Sequence, residues 1–201
     1  MKTESIVFAV AGICFGLILG WVIAVQQSTP GPAAAPVAPA ATQSQTANTP
    51  VLDEARVQAL TTILSNDPKN VDAAVQLANT YFDAERYPDA IKWYEQALSV
   101  QPRHADASTD LGVSYYYTGQ IDRALQQFEV SLKIDPQHTK TILNQGIVLA
   151  FGKEDLTAAA EAWTRVVALA PTSPEGQAAQ RALEGIAAAG HPATPAGTPG
   201  N

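Results

Sequence analysis

The chain has 201 residues, is 46% hydrophobic and carries a formal charge of −7. Residues 51–189 hold 11 Lys/Arg against 18 Asp/Glu, the wrong sign for neutralising phosphates, which argues against a nucleic-acid partner. Cys14 is the lone cysteine, so no intramolecular disulfide can form, and no Cys/His cluster of metal-ligand type is present.

Taken in chain order, residues 1–5 precede an uncharged apolar run, Ile6–Val25. Twenty helical residues span about 30 Å, the hydrocarbon thickness of a bilayer, so 6–25 reads as a transmembrane helix. Val22–Ile23–Ala24 also offers a small-residue cleavage site, the alternative reading of the same run. Lys2 precedes the run and no further Lys or Arg comes before Arg56. The positive-inside bias then places the N-terminus in the cytoplasm and the rest in the periplasm or outside, on a single-pass plasma-membrane protein. Gly12, Gly16 and Gly20 make two overlapping G-x-x-x-G steps, a candidate surface for membrane-helix association and a homodimer. Residues 26–50, with five prolines among Ala, Ser, Thr and Gln, read as a disordered linker.

Eight helices are predicted beyond it. A leading helix occupies Val51–Asn66 in a segment 51–70. Pro68, Pro102 and Pro136 then recur every 34 residues, and Pro171 follows at 35. A fixed period of this length means stacked like units rather than one globular core. The same shift aligns Leu77 with Leu111, Ala78 with Gly112, Tyr81 with Tyr115, Ala90 with Ala124 and Tyr94 with Phe128. Leu77, Ala78 and Tyr81 form one helical stripe, and Ala90, Tyr94 and Ala97 form the next. Breaks fall at 86–88, 118–120 and 152–155, with Asp122 and Thr157 as predicted N-caps. Each second helix ends near a proline, which cannot continue it. Residues 174–189 read as a closing helix with a polar outer face, and 190–201 as a disordered tail. No alternating strand pattern appears.

These residues resemble the tetratricopeptide repeat (TPR), a helix–turn–helix unit of that length. Units start at Val71, Ala105 and Thr139. Ala78, Gly112 and Gly146 hold the small eighth position, Ala90, Ala124 and Ala159 the twentieth, and Tyr94, Phe128 and Trp163 the twenty-fourth. Ala74, Ser108 and Ile142 depart from the usual Trp, and the third unit has one extra residue near Glu154–Asp155. The resemblance implies an all-α TPR superhelix, an α-solenoid of three helix pairs (71–104, 105–138, 139–173) with flanking single helices, to which the apolar run adds the N-terminal transmembrane helix. It also implies a concave partner-binding groove lined by Asp72, Val75, Asn79 and Phe82, then Asp106, Thr109, Val113 and Tyr116, then Lys140, Leu143, Ile147 and Ala150. Phe82 and Tyr116 are the expected aromatic anchors.

A TPR subclass grips a C-terminal carboxylate with Lys, Asn and Arg. Here Asn79 and Lys140 match, while Val75, Asp110 and Asn144 do not, and Asp110 repels an anion. His104 and His138 fall at equivalent loop positions and read as solvated. No nucleophile–base pair, phosphate loop or zinc motif can be named, so no enzyme and no cofactor are expected. The expected function is a membrane-anchored scaffold binding a protein or peptide, with assembly of an envelope complex such as cytochrome c maturation as one setting. A self-assembling structural protein is the alternative.

Overall fold

A computed structural model describes residues 51–190. They form eight α-helices and no strand: α1 (Glu54–Asn66), α2 (Val71–Asp83), α3 (Tyr87–Val100), α4 (Ala105–Tyr117), α5 (Ile121–Ile134), α6 (Thr139–Gly152), α7 (Leu156–Leu169) and α8 (Pro174–Ala188). The chain thus builds three hairpins, α2–α3, α4–α5 and α6–α7, between a leading and a closing helix.

Proline and its predecessor stop the second helices. Asp67, Gln101, Asp135 and Ala170 each precede a periodic proline, whose ring pushes the residue before it out of the helical region. Their φ values are −135, −124, −135 and −150°. Within the hairpins the first helices end in left-handed residues: Glu85 (φ 56°), Gly119 (φ 77°) and Glu154 (φ 57°). Around Glu85, Arg86 N donates to Tyr81 O at 2.8 Å and Glu85 N to Phe82 O at 2.9 Å. Gln120 N and Gly119 N repeat this on Tyr115 O and Tyr116 O, the paired bonds of a Schellman ending. The third hairpin absorbs its extra residue here, and Asp155 N reaches back to Leu149 O at 2.9 Å.

Caps differ from the expectation. Asp155, not Thr157, caps α7, accepting from Ala158 N at 2.9 Å. Asp122 lies inside the first turn of α5, whose N-cap is Gln120 without a side-chain bond. Short connections shift the helix start two residues upstream, because the left-handed residue reverses the chain at once.

Each hairpin closes on small residues facing an aromatic. Ala78 and Ala90 flank Tyr94, Gly112 and Ala124 flank Phe128, and Gly146 and Ala159 flank Trp163, all buried. Units are tied by polar contacts as well. Tyr115 Oη donates to Glu95 Oε1 at 2.6 Å, and Arg123 lies over the Tyr115 ring at 4.0 Å. Burial, then Glu95, pushes the Tyr115 phenol up to about 12 against the opposing pull of Arg123.

First helices pack on successive first helices, α4 on α6 and α6 on α8, while second helices show no comparable packing. The stack therefore curves with the first helices on its inner side. α8 takes the place of a fourth first helix. Its Gln177, Gln180, Arg181 and Glu184 are exposed, which suits a terminal cap.

The expected localisation is corrected. The described helices run 13–15 residues, about 20 Å at 1.5 Å each, short of the roughly 30 Å of a bilayer core. No helix among the described residues is long and apolar enough to cross a membrane. The run 6–25, with Gly12, Gly16 and Gly20, lies outside the described residues, as do the linker 26–50 and the tail from 191 onward. A periplasmic, plasma-membrane-anchored placement therefore does not stand.

Candidate binding groove

On the inner side, α2, α4 and α6 enclose a cavity of about 440 Å³ lined by Asn79, Phe82, Asp83, Tyr94, Asp110, Val113, Tyr117, Lys140 and Asn144. Helix periodicity explains the set. Asn79, Phe82 and Asp83 share one face of α2, Asp110, Val113 and Tyr117 one face of α4, and Lys140 and Asn144 one face of α6. Val113 forms an apolar floor patch, with polar groups around it.

Those polar groups are fixed by one another. Tyr94 Oη donates to Asn79 Oδ1 at 2.6 Å. Burial pushes the Tyr94 phenol well above its ordinary value, and the Asp110 and Asp83 carboxylates add to it. Tyr94 therefore stays a neutral donor. Lys140 Nζ pairs with Asp110 Oδ1 at 2.7 Å. Burial raises the Asp110 carboxyl pKa, which Lys140 partly counters. Asp83 is exposed and takes part in no ion pair among the described residues.

Aromatic rings form one wall. Tyr117 stacks on Tyr87 with ring centres 4.5 Å apart, and Phe82 meets both edge-on at 6.1 and 5.3 Å. Tyr117 is 55% exposed.

A second cavity, of about 400 Å³, lies between α6, α7 and α8. Leu143, Ile147, Phe151, Trp163, Ala182 and Ile186 are among its lining. It has almost no polar wall. Lys140 and Asn144 face the first cavity while Leu143 and Ile147 face the second, so α6 divides one groove into a polar and an apolar half.

Several expected groove residues therefore fall elsewhere. Asn79, Phe82, Val113 and Lys140 line the first cavity, and Leu143, Ile147 and Ala150 the second. Val75 is half-buried against the core, and Asp72 is exposed outside both cavities. Tyr116 is half-buried and packs on the core, and Tyr117 supplies the ring beside Phe82 instead. The aromatic pair is thus Phe82–Tyr117, because one residue turns the helix by about 100°.

Thr109 is fully buried and belongs to no groove. It meets Thr141 Oγ1 at 2.6 Å and Ser131 Oγ at 2.9 Å, and Ser131 meets Thr141 at 2.9 Å. Ser131 stands where the other units favour a small apolar residue, so this hydroxyl triangle glues the second unit to the third. His138 extends it. Its Nδ1 lies 2.6 Å from Thr141 Oγ1 and its Nε2 3.2 Å from Asp106 Oδ1, so His138 is not a solvated loop residue. His104 is not free either, because its Nδ1 accepts from Ala107 N at 3.2 Å as an N-cap.

Asp106, His138 and Thr141 have the acid–imidazole–hydroxyl order of an activated nucleophile. Thr141 is fully buried among Thr109 and Ser131, so no substrate can reach its oxygen, and the chain uses the order for packing. Among the described residues no group of three or more His, Cys, Asp or Glu could hold a metal ion.

Tyr117, Asp83 and the α8 wall escaped the sequence reading. Tyr117 and Asp83 hold the thirteenth unit position, one past the expected aromatic, and the sequence pattern of α8 marks only a cap.

Residues 71–137 match the tetratricopeptide repeat family model. These two helix pairs are tetratricopeptide repeats. The solved structures agree on the fold. MamA is 21% identical, covering 65% of this chain and 77% of its own at a TM-score of 0.57. The type III secretion translocator chaperone SycD of Yersinia enterocolitica is 19% identical over 60% of this chain and 93% of its own, TM-score 0.56. The first TPR of Spaghetti (RPAP3), bound to the HSP90 peptide SRMEEVD, is 20% identical over 60% of this chain and 96% of its own, TM-score 0.52. No curated protein sequence matches the chain.

Proposed function

We propose that this chain is an interaction scaffold, without chemistry of its own, that holds an extended segment of a protein partner along its inner groove. The observation that carries this reading is the groove itself: two adjoining cavities of about 440 and 400 Å³, one polar with an aromatic wall and one apolar. Pockets that combine apolar anchor sites with a few fixed polar groups suit peptide recognition. A similar fold, the first TPR of RPAP3, holds a peptide. Holding one partner while a larger complex assembles is the role we assign to it. End-to-end self-assembly is disfavoured by the exposed Gln177, Gln180, Arg181 and Glu184 at the closing end.

A photo-crosslinking residue at Val113, in the groove, and another at exposed Glu129, on α5, test the reading in cells. Attachment of one discrete partner from position 113 and not from 129 is the expected result. A partner captured only from 129 would place recognition on the outer helices and sink the proposal.

A further inference from the structure

Resting on the groove reading above, we infer that the partner segment carries a basic side chain and a bulky apolar side chain three or four residues apart. The polar cavity selects the basic group. Asp110 is already neutralised by Lys140 at 2.7 Å, which leaves the unpaired Asp83 carboxylate as the charge offered to a ligand. Beside it stand Phe82 and Tyr117 in the same wall, and a cation near a carboxylate and aromatic rings is attracted by both. A guanidinium fits this better than an ammonium, since it stacks on rings and bonds a carboxylate with two donors. The formal charge of −7 favours the approach of a cationic segment to the chain as a whole. An acidic segment finds Lys140 engaged and two carboxylates close by.

The apolar cavity selects the other group. Its wall includes Gly185, where an added Cβ would meet nothing within 4 Å. Glycine inside a helix is less favourable than alanine, and no neighbour among the described residues requires it here. Its bare backbone leaves room for a ligand side chain to approach α8 closely. The residues that α6 gives to the polar cavity (Lys140 and Asn144) and to the apolar cavity (Leu143, Ile147, Ala150 and Phe151) are displaced by about six residues along the helix, roughly 9 Å at 1.5 Å each. An extended peptide advances about 3.3 Å per residue, which gives the spacing of three or four.

The test selects displayed random ten-residue peptides on the full chain, then measures the selected peptides by fluorescence anisotropy. The expected motif is Arg or Lys, two or three intervening residues, then Leu, Ile, Phe or Trp, or the reverse order. Asp83→Lys should weaken such peptides about tenfold. Gly185→Leu, which fills the apolar half, should weaken them by about tenfold or more. Both substitutions sit at exposed positions, and parent-like melting verifies their folding. Peptides that depend on Val113 but are acidic, or lack the apolar residue, would overturn this inference and leave the groove reading standing. Peptides insensitive to Val113→Arg, Asp83→Lys and Gly185→Leu alike, or no enrichment at all, would overturn both.

Discussion

Gly112→Ala is the sharpest probe of the hairpin contact. Alanine for glycine inside a helix ordinarily gains about 1 kcal/mol. Here the added Cβ would sit 2.5 Å from Phe128 Cε1 and 2.7 Å from Cδ1, with Ala124 O at 3.3 Å. Carbon atoms rest about 3.5–4.0 Å apart, so the ring or helix α4 must move by about 1 Å. Phe128 is completely buried and has no open side to move into. Overpacking of this kind costs about 1–3 kcal/mol, and two clashing ring carbons put it at the upper end. The net loss is then about 1–2 kcal/mol, a fall of roughly 3–8 °C in Tm for a domain of this size. Far-UV circular dichroism melts and urea midpoints of the full chain measure it. In a Phe128→Leu background the same alanine should cost about 1 kcal/mol less, because the smaller side chain vacates the space. A Gly112→Ala variant that melts at or above the parent would refute the contact.

Three further outcomes are expected. Glu85 is left-handed, which costs an L-residue roughly 1–2 kcal/mol, so Glu85→Gly should raise the urea midpoint by a net amount of about 0.5–1 kcal/mol after the extra unfolded-state entropy of glycine; a lower midpoint would contradict the turn geometry. Thr141→Val removes the hub of the buried hydroxyl triangle and should cost about 1–3 kcal/mol in unsatisfied groups, and a neutral result would deny the network that role. Asp110 has a folded pKa raised by burial, so its contribution to stability is full below the unfolded carboxyl pKa of about 3.9 and is lost as pH rises through the higher folded value. Asp110→Asn should therefore gain on the parent as pH climbs from about 3 to about 8, in paired urea titrations, and a variant that loses ground to the parent over that range would reverse the sign of the burial effect.

How much was legible follows from the range of each signal. The 34-residue period, the small–aromatic register and the proline stops depend on residues a few positions apart along one helix or hairpin. Helix class and repeat phase were therefore readable directly, as the buried Tyr94, Phe128 and Trp163 attest. Which of Tyr115, Tyr116 and Tyr117 enters the groove was not. Adjacent residues differ by about 100° of helix rotation, and only the packing of α4 on the α2–α3 hairpin decides which ring meets Phe82. Thr109 shows the same division. Its groove position followed from the family pattern, but the presence of Ser131 and Thr141 on neighbouring helices drew its hydroxyl inward. His138 left its loop for the same network, with Asp106 across the unit boundary. The sequence by itself determined the repeat, its helices and their core faces, because those are local and periodic. The tertiary structure alone decided the division of the groove into a polar and an apolar half, the unpaired state of Asp83 and the role of α8 as a groove wall, because each depends on side chains from different helices meeting in space.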